Sequence, residues 1–226
     1  PLKILKVYKH NNWEDYNLLP ALKKFGEVIE YPMQDINPYS LWWQIFEKRK
    51  FNKKFTEDVK KLFIDGKINL IFTLASGLWF TWNTFKEISR LKMPVVNFSF
   101  DDHIKFVGYL TPTGWSGNRD ICKYITLTTV SYRGSCERYL YEGGRPLYVP
   151  EAGNSNVHKP LNIKKDIDVC FVGRNYGRRR SVVKFLKNND INVQVYGIDW
   201  PNGPVSVEKM VELYSRSKIV LGINDS

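Results

Sequence analysis

Two short stretches carry side chains suited to chemistry. The first, DVCFVGRNYGRRRSVVKFL (Asp168–Leu186), runs from an apolar segment through Gly173 into Arg174, Arg178, Arg179 and Arg180. Glycine lets a backbone turn sharply and approach a ligand. Guanidinium forks suit phosphate oxygens, and the free N–H groups of a helix start, here at Gly177, favour anions. The spacing is neither G-x-G-x-x-G nor G-x-x-x-x-G-K-[ST], so no dinucleotide or Walker fingerprint is present. Adjacent helix positions diverge, so the three helix arginines cannot all address one site. The residues alone leave two readings: an anion-binding turn, or a strand–helix junction with a solvated basic end.

The second stretch is FSFDDHIKF (Phe98–Phe106). Asp101, Asp102 and His103 directly follow an apolar run. Carboxylates and a histidine there suit a general base or a grip on a sugar hydroxyl; helix capping is the plainer alternative. As metal ligands they make a thin set, and no metal site is expected. Further loops matter less. GIDWPNGPVSVEKM (Gly197–Met210) offers Trp200 as a ring platform or an edge plug. LASGLWFTW (Leu74–Trp82) places Ser76 and Gly77 where a small turn can admit substrate. It lacks the G-x-S-x-G elbow, and Trp79, Phe80 and Trp82 read as core or interface. His10, Asn11 and Asn12 stand on the first loop, and His158 on a polar segment.

These stretches need elements to hold them. Apolar β-rich runs at 2–8, 27–32, 69–75, 93–100, 121–129 and 145–150 alternate with helical patterns at 13–25, 41–50, 84–91 and 131–142. Gly26 reads as a C-terminal cap of the first helix, and Ser40 as the N-cap of the second. Such alternation implies a parallel sheet with helices on both faces. The polar stretch 151–165 reads as a linker. Strand, helix, strand, helix and strand patterns then follow, with Ser206 as the expected cap of the last helix. The expectation is an N-terminal Rossmann-like domain over 1–150 and the first part of a second over 166–226, that second domain being truncated. In open parallel sheets ligands bind beyond the carboxyl ends of the strands, where all these loops lie.

The chain has 226 residues, 43% hydrophobic, with a net charge of +11. That charge favours anionic partners. Much of it lies in Glu47–Lys61, where Phe51, Phe55, Val59 and Leu62 recur at helical spacing and the lysines read as a solvated face. Little aromatic–basic interleaving occurs on one strand pair, which argues against nucleic acid. No run of about 18 apolar residues exists, so no membrane span is expected. The opening PLKILKVYKH is not signal-peptide-like. Cys122, Cys136 and Cys170 lack metal spacing and read as reduced thiols of a cytoplasmic protein.

In order, DVCFVGRNYGRRR, INVQVYGIDWPNGPVSVEKM and VELYSRSKIVLGIND resemble the CgeB-like (spore-maturation type) glycosyltransferases. EAGNSNVHKP resembles that family's interdomain segment, and VVNFSFDDH its Asp-Asp strand end. The likeness spans roughly Val95 to the C-terminus. It departs at Gly222, where the family usually has Asn, and at Ser226, before the family's Arg-x-Phe-Glu-like segment. The resemblance implies a GT-B fold, two Rossmann-like domains facing across a cleft, with acceptor on the first and nucleotide-sugar donor on the second. It implies that Gly173, Arg174 and Arg178 address the donor diphosphate. Gly197, Trp200, Val205 and Ser206 would border the nucleotide, and Asp101, Asp102 and His103 would face an acceptor (glycan, protein or small molecule). It implies transfer without a metal or other cofactor. A non-catalytic nucleotide- or glycan-binding protein on the same scaffold is the alternative.

Overall fold

The computed structural model describes residues 1–9, 12–33 and 35–223, with only the backbone of Asn12 and Trp13. His10 and Asn11, and the side chain of Asn12, thus lie outside what is described. The chain divides into two compact units, Pro1–Ala152 and Gly153–Ser226.

The larger unit contains β1 (Leu2–Val7), α1 (Asn12–Lys23), β2 (Gly26–Glu30), α2 (Lys48–Ile64), β3 (Leu70–Thr73), α3 (Trp82–Ser89) and β4 (Val95–Ser99). It continues with α4 (Asp102–Lys105), β5 (Leu110–Thr111), β6 (Gly114–Trp115), β7 (Leu127–Val130), α5 (Ser135–Tyr141) and β8 (Pro146–Tyr148). Six strands form one parallel sheet in the order β2-β1-β3-β4-β7-β8. Leu5 lies opposite Ile29 on one side and Ile71 on the other. Leu5, Val7, Ile71 and Val95 pack on Phe55 and Val59 of α2 and on Phe85 and Ile88 of α3. The order reverses between β1 and β3, which makes the crevice beyond their carboxyl ends the topological switch point.

Gly26 is not a helix cap. It opens β2, and a Cβ there would stand 1.9 Å from the carbonyl oxygen of Leu2. Its glycine is required by the close approach of β1. Ser40 does cap, its Oγ accepting from the Trp43 N–H at 3.4 Å, although a π-turn over Trp43–Glu47 precedes α2. The β5–β6 hairpin carries no pattern in the sequence: each arm is two residues long.

The smaller unit holds β9 (Ile167–Val172), α6 (Arg179–Asn188), β10 (Val193–Tyr196), α7 (Val207–Arg216) and β11 (Ser217–Val220). Its parallel sheet has the order β10-β9-β11. Val169, Phe171, Val193 and Val195 build its core with Val183 of α6. The segment before β9 packs on this unit: the Leu161 N–H donates to Ser215 Oγ at 3.0 Å. His158 lies in a cavity of about 490 Å³ between that segment and α7.

Candidate functional site

In the smaller unit, β9 and β10 close on each other through two glycines. Gly197 has φ +130°, and a Cβ on it would lie 2.1 Å from the Gly173 carbonyl oxygen. Backbone pairing continues past both strand ends: Gly173 N–H to Tyr196 O at 2.9 Å and Asn175 N–H to Ile198 O at 2.9 Å. The Gly173 N–H is therefore already used and is not a free donor for a ligand. The Gly197 N–H is used in the same way, by Gly203 O at 2.7 Å.

The arginines take different roles. Arg179 is the clamp of the turn. Its guanidinium lies 4.2 Å from the Tyr176 ring centroid and 5.4 Å from that of Phe171. Its Nε donates to Ile223 O at 3.0 Å and its Nη1 to Arg174 O at 3.0 Å, joining the ends of β9 and β11. Arg174, Arg178 and Arg180 are exposed. Arg174 makes one long solvent-exposed contact, 3.5 Å from Nε to Asp199 Oδ2, of the kind that contributes little.

The two helices of this unit start differently. At α7, Ser206 Oγ accepts from the Lys209 N–H at 3.2 Å, and Glu208 occupies the first turn. That start is capped and matched to its dipole. At α6 no side chain among the described residues caps the first turn, and the helix's own first turn holds no acid. Gly177, at φ +55°, leads into Arg178, Arg179 and Arg180 instead. Cations there oppose the dipole by about 0.3–1 kcal/mol each. An anion would reverse that sign.

The other residues expected at the nucleotide make contacts within the fold. Trp200 is no open platform: its ring stands edge-on to Phe171 at 6.2 Å. Its Nε1 is buried without an acceptor among the described residues. Val205 packs against Ile167, Cys170 and Leu213. Ser206 stays exposed at the start of α7 while capping it.

In the larger unit, the Asp101–Asp102–His103 stretch is split. Asp102 is fully buried. Its Oδ1 accepts from Tyr139 Oη at 2.7 Å and from Ser99 Oγ, and its Oδ2 from the Ser131 N–H at 3.2 Å. Asn118 Nδ2 donates to Ser99 Oγ at 2.7 Å. Asp102 thus ties the ends of β4 and β7 to α5, and the expectation that it faces an acceptor is corrected. Burial and the neighbouring Asp102 push the Tyr139 phenol well above its ordinary range. Asp101, at φ +54°, pairs with Lys105 at 2.5 Å. His103 is exposed, its ring 5.8 Å from that of Tyr132.

The turn at Ser76–Gly77 is closed to substrate. Gly77 N–H donates to Gly117 O and Leu78 N–H to Ser116 O, both at 2.7 Å. A buried polar stripe of α2 and the turn before it holds the same loop. Gln44 Nε2 donates to Leu78 O at 2.9 Å, Lys48 Nζ to Gly77 O at 2.5 Å and Asn52 Nδ2 to Trp79 O at 3.1 Å. Sequence reasoning missed this stripe and placed Lys48 on a solvated face. Its i, i+4, i+8 spacing, on the side of Phe55, is the signal that was there to read.

Lys48 is 0% exposed, and burial lowers its pKa from 10.5 to about 8. Unfolding returns the amine to water, so the unfolded chain binds more protons between those two values. Stability relative to Lys48→Met is therefore expected to rise with pH across that window, by on the order of 3 kcal/mol. Cys122 and Tyr139, both raised, push the other way in both proteins. The difference between two urea-denaturation series is the readout, and a flat difference would rule out the lowered pKa of the buried amine.

At the switch point, Tyr8 is 5% exposed, and its Oη has no partner among the described residues. Lys6 Nζ lies 4.4 Å from its ring centroid and 2.8 Å from Glu30 Oε2. Burial, with Asp15, Glu14 and Glu30 nearby, pushes the phenol far up. Among the described residues no group of three or more His, Cys, Asp or Glu side chains could hold a metal ion.

No protein-family model matches the chain, and no curated protein matches its sequence. Solved structures do. The UDP-GlcNAc 2-epimerase from Neisseria meningitidis bound to UDP-GlcNAc is similar at TM-score 0.50 and 12% identity, covering 100% of this chain and 73% of that one. The UDP-GlcNAc 2-epimerase from Methanocaldococcus jannaschii gives 0.48 and 13%, covering 99% and 74%. Arabidopsis thaliana UGT89C1 complexed with UDP-L-rhamnose gives 0.44 and 10%, covering 96% and 60%. At such identities the fold alone is shared, and the chain has the α/β fold of GT-B structures, built from two Rossmann-like units.

Proposed function

We propose that the chain is a glycosyltransferase, of the CgeB-like type its motifs resemble. It would move a sugar from a nucleotide-diphosphate sugar to an acceptor hydroxyl. One observation carries this reading: the start of α6, with no acid in its own first turn and no side-chain cap among the described residues, lies near Arg174, Arg178 and Arg180 and beside the β9–β11 order reversal. A diphosphate gains negative charge as its bond to the sugar breaks. Guanidinium groups and a helix dipole aimed at that charge stabilise it without a metal ion. The exposed His103 is the group on the larger unit suited to take an acceptor proton. The three free cysteines suit a reducing compartment such as the cytoplasm.

The Neisseria epimerase of similar fold holds UDP-GlcNAc, so UDP is the first probe, followed by GDP and dTDP. Titration calorimetry is expected to show binding that Arg174→Ala weakens by about 1.5–3 kcal/mol, the value of a charge-assisted phosphate bond. Absence of binding by any nucleotide would sink the reading. Binding without sugar-nucleotide turnover would favour the non-catalytic alternative.

A further inference from the structure

We propose that the helical segment over 41–54, which leads into α2, docks on an anionic lipid surface. Between residues 41 and 54 the exposed side chains come mainly in pairs four residues apart: Leu41–Trp42, Ile45–Phe46, Arg49–Lys50 and Lys53–Lys54. Trp43, Gln44, Lys48 and Asn52, between them, are buried. One stripe of helix surface therefore faces outward. Its character changes along its length, with four apolar residues followed by four basic ones.

Leu41 and Trp42 are each 66% exposed, and Tyr39 just ahead is 75% exposed. The Trp42 and Phe46 ring centroids lie 4.4 Å apart, so these two exposed rings form one apolar surface. Isolated exposed apolar residues are ordinary, but a contiguous patch marks an interaction site. At 1.5 Å per residue the basic pairs lie roughly 5–15 Å further along the axis. An apolar end at the acyl boundary would thus put the guanidinium and ammonium groups among the lipid phosphates.

Lys50 and Lys54 are paired with Glu47 and Asp58, at 3.1 and 2.8 Å. Arg49 and Lys53 form no ion pair among the described residues and remain available to phosphate. The net charge of +11 attracts the whole chain to such a surface. This charge match favours lipid over an uncharged protein groove. No helix among the described residues is long and apolar enough to cross a membrane, so the contact is interfacial. It uses none of the residues assigned to nucleotide or acceptor.

Flotation of the full chain with vesicles tests this, using phosphatidylcholine alone or with about one third phosphatidylglycerol. The chain is expected to float with the anionic vesicles only, and less as salt rises. The double variant Trp42→Glu, Phe46→Glu should lower the bound fraction at least tenfold. Arg49→Glu with Lys53→Glu, which leaves the apolar packing intact, should do the same. All four side chains are exposed, so melting temperature and UDP affinity should stay at their wild-type values. No flotation, equal flotation with neutral vesicles, or unchanged flotation of both variants overturns the proposal. So does sedimentation showing a dimer that Trp42→Glu splits, which would make the patch an interface between copies.

Discussion

Gly197→Ala is expected to disassemble the β9–β10 turn and to remove nucleotide binding with it. The new Cβ would stand 2.1 Å from Gly173 O and 2.6 Å from its carbonyl carbon. Neither strand can yield cheaply, because Gly173 and Gly197 both hold their neighbours by backbone hydrogen bonds. The φ of +130° adds strain that L side chains rarely accept. A loss of about 3–5 kcal/mol is expected, large against the roughly 5–15 kcal/mol that stabilise a domain. Gly203→Ala is the control. Its φ is +67°, and nothing lies within 4 Å of its Cβ position, so only left-handed strain applies, about 1–2 kcal/mol. Chemical denaturation of the two variants gives the comparison. Equal losses would show that backbone approach is not what Gly197 provides.

Asp102→Ala is expected to unfold the carboxyl edge of the larger unit, where its neighbour His103→Ala should leave stability unchanged. Without the carboxylate, Tyr139 Oη, Ser99 Oγ and the Ser131 N–H lose their acceptor inside the fold. Orphaned buried donors cost about 1–3 kcal/mol each, with partial relaxation among them. A total of about 3–5 kcal/mol corresponds to a melting temperature lower by about 10 °C. Asp102→Asn keeps one accepting oxygen and should fall between. The contrast separates a buried tie from a catalytic base. A base would lose turnover in Asp102→Asn while melting like the wild type, and that outcome would return Asp102 to the acceptor side.

Much of the architecture was legible in local pattern. The runs at 69–75 and 93–100 and the apolar segment before Gly173 are β-rich because parallel strands are covered on both faces, and they became β3, β4 and β9. Ser206 could be read as a cap because capping is a local hydrogen bond between residues three apart. The β5–β6 hairpin could not be read. Its two-residue arms are too short for a period, and the surrounding segment is held by contacts such as Gly77 N–H to Gly117 O.

The candidate site divides in the same way. By itself the sequence determined the alternation of strands and helices, the basic turn after β9 and the acidic stretch after β4. Hydrophobic period and glycine position act within a few residues, so those features were visible. Only the tertiary structure decided which arginine clamps and which is exposed, that Asp102 turns inward, and that Lys48 is buried. Each of those outcomes depends on a partner brought in by folding: Ile223 for Arg179, Tyr139 for Asp102, Gly77 for Lys48. A side chain's type sets what bonds it can form, but its burial and its partner are set by long-range packing that no local spacing records.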